Sequence, residues 1–228
     1  MKRFLFIALV LTSCLTVFGR KNVKTIHVTP DNATIYLNGN EVGTGSYTVK
    51  FDRHTEFVMF KLVAPGYKTR TVKLLRDNPK ETIEYKLQQD EALLQSVGSS
   101  DGVDIANKWM SVVCKKGLTE DKVWRRLMSV AVDNFENVEV RDKAAGWIKT
   151  AWKDTKFESG QLVRTRLEIR ISVNGDDDEL TYKIKLSSEI NEDYNDCYGD
   201  QCFEKYPRVL KKFYDVINDL QSSLGSNN

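Results

Sequence analysis

Two Asn-Gly dipeptides, Asn38-Gly39 and Asn174-Gly175, each separate runs that alternate apolar and polar side chains. Asn-Gly accepts the positive φ that a two-residue hairpin turn demands, so each dipeptide marks an antiparallel strand pair. Around the first, strand-like runs recur from Ile26 to Leu87, broken by Pro30-Asp31-Asn32, Gly43-Thr44-Gly45-Ser46 and Ala64-Pro65-Gly66-Tyr67. Short strands at this spacing predict a small all-β sandwich over residues 23–88. A shift to Gln-Gln-Asp-Glu and then Gly98-Ser99-Ser100-Asp101-Gly102 predicts a linker at 89–104.

Residues 105–228 read differently. Thr119 is placed to cap a helix whose first turn holds Glu120 and Asp121, and Val123, Leu127, Val130 and Ala131 form its apolar stripe. Strand runs follow at Val138–Val140, Trp147–Trp152, Leu162–Val173 and Leu180–Ile190. In the longest of them Val163, Thr165, Leu167, Ile169, Ile171 and Val173 share one face. A final helix is expected over Tyr206–Leu224, with Val209, Phe213, Val216, Ile217 and Leu220 at helical spacing. Helix, antiparallel sheet, helix is the order of an α+β helix-grip domain.

The start of the chain reads as an export signal over residues 1–19: Lys2 and Arg3, then an uncharged apolar run from Phe4 to Leu11. Two processing routes stay open. Leu11-Thr12-Ser13-Cys14 resembles the lipobox of bacterial lipoproteins, which would lipidate Cys14, and Val17-Phe18-Gly19 offers cleavage after Gly19. Either route places the chain outside the cytoplasm, as an outer-membrane lipoprotein or in the periplasm. Lys and Arg number 34 against 32 Asp and Glu. Loss of Lys2 and Arg3 would make the two equal, which argues against binding nucleic acid through phosphate neutralisation.

The order Val28-Thr29-Pro30-Asp31-Asn32-Ala33-Thr34-Ile35-Tyr36-Leu37-Asn38-Gly39, then Val42-Gly43-Thr44-Gly45, then Gly66-Tyr67 resembles the PEGA domain. That family is a small β-sandwich of bacterial and archaeal envelope proteins. The sequence departs from the family at Gly45-Ser46, where Thr-Pro is usual, and at Asp31-Asn32, where Glu-Gly is. The resemblance implies a non-catalytic module that contacts envelope or surface partners. In the second half, Val123-Trp124-Arg125-Arg126-Leu127 and Val138 to Ile148, with Asp142, Ala144 and Gly146 at the turn, resemble the helix-grip repeat of BamC (NlpB) lipoproteins. About 30 residues carry that resemblance, so it implies the fold and not membership of the barrel-assembly machine.

Little in the chain points to catalysis. No phosphate-binding loop, Ser-His-Asp set, nucleophile elbow or zinc-protease motif occurs, and His27 and His54 are the only histidines. No cofactor and no metal ligand set is therefore expected. Cys197 and Cys202, with four residues between them in an exported chain, read as a disulfide. Cys114 reads as a buried small side chain. Asp176-Asp177-Asp178-Glu179 reads as a solvated hairpin tip, with calcium binding as the alternative. Trp147 and Trp152 have opposite parity on one expected strand, so at most one faces the core and the other is a candidate contact residue. Lys68, Arg70 and Lys73 form a candidate basic set on the first module. The expected function is a non-catalytic envelope binding or scaffolding protein with protein or cell-wall partners. The alternatives are a glycan hydrolase using a carboxylate pair and a calcium- or sugar-binding accessory protein.

Overall fold

The computed structural model describes residues 22–174 and 179–225. Cys14, the alternative cleavage site at Gly19 and Asp176-Asp177-Asp178 lie outside the described residues. The described chain is rich in β-strand, arranged in several sheets with few helices. It divides into two compact units. The first holds the described residues up to Pro65 together with Thr69–Leu87, and the second holds Gly66–Lys68 and the described residues from Gln88 onward.

The first unit contains β1 (Val23–Thr29), β2 (Thr34–Leu37), β3 (Asn40–Thr44), β4 (Ser46–Lys50), β5 (Phe57–Val63), β6 (Arg70–Leu75) and β7 (Thr82–Lys86). They form a three-stranded sheet, β4-β1-β7, and a four-stranded sheet, β3-β2-β5-β6. The β2–β3 turn falls on Asn38 and Gly39, both at positive φ (51° and 85°), which is why Asn-Gly is favoured there. Gly45 meets two demands at once. Its φ is +68°, and a Cβ would lie 2.4 Å from the Asp31 carbonyl oxygen, so a residue with a side chain does not fit. Alternate residues of both sheets, among them Ile26, Val28, Ile35, Phe60, Leu62 and Leu74, are buried.

The second unit contains α1 (Glu91–Leu94), β8 (Ser96–Gly98), β9 (Met110–Val113), α2 (Glu120–Phe135), β10 (Val138–Asp142), β11 (Trp147–Thr150), β12 (Lys153–Lys156), β13 (Leu162–Asn174), β14 (Glu179–Asn191), β15 (Glu204–Lys205), β16 (Arg208–Leu210) and α3 (Lys211–Leu224). Its seven-stranded sheet runs β10-β11-β13-β14-β15, with β12 also on β13 and β9 also on β14. The antiparallel β13–β14 pair is its spine, in unbroken register from Leu162 opposite Asn191 to Asn174 opposite Glu179. Val163, Thr165, Leu167 and Ile169 on β13, and Tyr182, Ile184, Leu186 and Ile190 on β14, are buried on one face. The helices add their stripes to the same core: Val123, Leu127, Val130 and Ala131 from α2, and Phe213, Ile217 and Leu220 from α3. Phe135 and Phe213 stack with centroids 4.8 Å apart and so join the two helices. As expected, Thr119 caps α2, its hydroxyl accepting from the Lys122 amide.

Two expectations need correction. Residues 89–104 are not a bare linker: they carry α1 and β8, and β8 pairs with β16. The Arg208 guanidinium fixes this pairing by donating to Ser96 Oγ (2.8 Å), Ser96 O (3.0 Å) and Asp101 Oδ2 (2.6 Å). The last helix also begins later than expected, because Arg208–Leu210 is taken up as strand before α3 starts. The Asp101 carboxyl is held below the usual range, first by the Gly98 amide and then by Arg208.

Phe135 is 2% exposed, so Phe135→Ala should lower unfolding free energy by about 3–5 kcal/mol, with Phe135→Leu costing less. Urea unfolding measures this. A loss below about 1 kcal/mol would show that the two helices do not share a packed core.

Candidate functional site

The residues of β13 that alternate with its buried set are Arg164, Arg166, Glu168 and Arg170, and those of β14 are Lys183, Lys185, Ser187 and Glu189. They build the outer face of the large sheet. Three tryptophans and a phenylalanine lie among their cations. The Arg170 guanidinium carbon is 4.0 Å from the Trp147 ring centroid, and those of Arg166 and Arg164 are 4.4 and 4.7 Å from that of Trp152. Arg164 also covers Phe203 at 3.9 Å, and Lys185 approaches Trp109 at 5.7 Å. Each such contact contributes about 0.5–1 kcal/mol where exposed and more where water is excluded.

Trp147 and Trp152 reach this face together because the strand carrying them is interrupted. Trp147 opposes Arg170 and Lys149 opposes Glu168, but Lys153 opposes Thr165. Four steps along β11–β12 therefore answer three along β13, an extra residue of the kind a β-bulge inserts. It reverses the parity of everything after it. The expectation that the two tryptophans lie with opposite parity on one strand is thereby corrected: both are half-buried on the outer face. The interruption deprives the Leu167 amide of a strand partner, and the buried Thr150 hydroxyl accepts from it at 2.9 Å.

Carboxylates interlock with the cations. Arg164 donates to Glu189 through Nε (2.7 Å) and to Asp200 through Nη1 (2.6 Å). Burial opposes the guanidinium charge, but the hydrogen bonds it donates to Asp200 and Glu189 outweigh this and hold Arg164 more firmly protonated than usual. Glu168 lies between Arg166 (3.7 Å) and Lys185 (3.8 Å), and Lys149 pairs with Glu139 at 3.0 Å. Asp200 belongs to a loop closed by the disulfide Cys197–Cys202. The loop is tied to the sheet where Asn191 Nδ2 donates to the Cys197 carbonyl at 2.9 Å.

The other nominated residues do not form one patch. Lys68 precedes β6 and packs in the second unit, where its ammonium donates to the Ser159 and Glu192 carbonyls at 3.2 and 3.0 Å. Arg70 and Lys73 have opposite parity on β6. Arg70 lies over Tyr85 and donates to the Lys86 carbonyl, whereas Lys73 lies over Phe57 at 4.0 Å. Cys114 is free and buried, and burial pushes its thiol up to about 11, which suits a packing role rather than a nucleophile. Among the described residues no group of three His, Cys, Asp or Glu is placed to hold a metal ion. Nor is any described helix long and apolar enough to cross a membrane.

Arg164, Arg166 and Arg170 went unnominated from sequence, although the alternation that marks the inner face of β13 places them opposite it. The face presents indole area suited to apolar contact and guanidinium groups suited to hydrogen-bonding carbonyl and carboxylate groups. No protein-family model matches the chain, and no curated protein does.

Thr150→Val keeps the shape but leaves the Leu167 amide unsatisfied. It should cost about 1–3 kcal/mol and raise the exposure of Trp152, read by denaturant unfolding and acrylamide quenching. An unchanged midpoint with unchanged quenching would contradict this role for the Thr150 hydroxyl.

Proposed function

We propose that this chain is a non-catalytic binding or scaffolding protein of the bacterial cell envelope. In this reading the first unit is a PEGA-like β-sandwich and the second a helix-grip domain resembling that of BamC. The chain is exported, and either lipidated at Cys14 or released by cleavage after Gly19. The partner is an envelope protein, with a cell-wall polymer as the competing ligand, and no nucleic acid or cofactor takes part.

The observation that carries the reading is the outer face of the large sheet. It concentrates Trp109, Trp147, Trp152 and Phe203 among arginines and lysines. Tryptophan and arginine dominate the energetics of protein interfaces, because each presents a large rigid contact area together with hydrogen-bonding groups. The mixed charge of the face suits a protein surface better than a uniform polyanion. The disulfide fits an oxidising compartment outside the cytoplasm.

The test is chemical crosslinking in intact cells, then affinity capture of the tagged full chain and mass spectrometry. Wild type should retain a stoichiometric envelope protein that Trp152→Ala combined with Arg166→Ala loses, while the variant's melting temperature stays within a few degrees. Capture unaffected by the double substitution would overturn the assignment of this face. Retention of cell-wall glycan in place of protein would transfer the proposal to the competing ligand.

A further inference from the structure

A cavity of about 530 Å³ opens in the second unit where α1, the end of β12 and the start of α3 meet. That volume falls within the roughly 300–1,000 Å³ of small-molecule sites. Its lining combines apolar side chains, Leu94, Phe157 and Leu210, with three lysines from two elements, Lys156 on β12 and Lys211 and Lys212 on α3. Among the described residues none of the three forms an ion pair with a carboxylate. Lys211 donates to the Leu94 carbonyl at 2.8 Å, Lys212 to the Thr155 hydroxyl at 2.9 Å, and Lys156 lies over the Tyr194 ring at 4.9 Å. Of the two acids in the lining, Glu91 already accepts from the Ser159 amide at 3.2 Å, and Glu158 is exposed. Burial, and then the nearby Lys153, hold the Lys212 ammonium below its usual range. The lining thus carries three ammonium groups against two carboxylates, and the hydrogen-bond partners of Lys211 and Lys212 are neutral.

We infer that the cavity binds a small amphipathic anion: a phosphate or carboxylate head on an apolar body. Lys212 takes the head, assisted by Lys211, because an oxyanion offers it what the Thr155 hydroxyl does not, a full opposite charge. Leu94, Phe157 and Leu210 take the body. The site is separate from the outer sheet face and stands or falls independently of it.

Calorimetric titration of the full chain at fixed ionic strength, with hexyl phosphate, hexanoate, inorganic phosphate and 1-hexanol, tests this. Hexyl phosphate or hexanoate should bind at least about tenfold more tightly than inorganic phosphate and 1-hexanol. Whichever of the two binds better identifies the preferred head group. Lys212→Gln should weaken that binding about tenfold, and Lys212→Arg should keep it within about threefold. Equal binding of 1-hexanol, or no loss in Lys212→Gln combined with Lys211→Gln, would overturn the assignment.

Discussion

The thirteen-residue strands β13 and β14 pair over their whole length, and the second unit is organised around that pairing. Side chains of paired strands alternate between two faces, so one uninterrupted register fixes two surfaces at once. On the inner surface Leu167, Ile169, Tyr182, Ile184 and Leu186 are at most 1% exposed and receive the stripes of α2 and α3. On the outer surface the same register sets Arg164 against Glu189 and Glu168 against Lys185. A one-residue slip would bury charge and expose the core together, a cost that far exceeds any single contact.

The interruption between β11 and β12 modifies that plan in one place. By adding a residue opposite β13 it turns Trp152 onto the surface that Trp147 already occupies. Thr150 stays buried and supplies the acceptor that the broken ladder lost. The outer face thus gains a second indole without an unsatisfied amide beneath it. At the far end of β14 the disulfide-closed loop contributes Asp200, and Phe203, directly after Cys202, lies beneath the same Arg164. Packing, a backbone irregularity and a covalent crosslink all converge on one row of arginines.

Much of this was legible in the sequence where the signal is local. The Asn38-Gly39 turn, the Thr119 cap, the stripes of α2 and α3 and the inner face of β13 each follow from residues within a turn or a strand of one another. The Cys197–Cys202 bond was legible from spacing together with expected export. What stayed hidden depends on partners far along the chain. β8 exists because Arg208–Leu210 lies beside it and Arg208 clamps Ser96 and Asp101, and nothing near Ser96 announces this. The extra residue before Trp152 is likewise a property of two strands in register, so parity counted along one strand set the two tryptophans on opposite faces. Lys68, read as a surface cation, is committed to backbone carbonyls more than ninety positions away in the sequence.

The central claim is that the outer face of the β13–β14 sheet is a contact surface and not only a stabilising lattice. Replacing Trp147 by the photoreactive p-benzoylphenylalanine in intact cells tests it most directly, with Ser129 on α2 replaced as the control position. The account predicts that irradiation links position 147, and not position 129, to a discrete envelope protein. Equal labelling at both positions, or labelling at 129 alone, would contradict it.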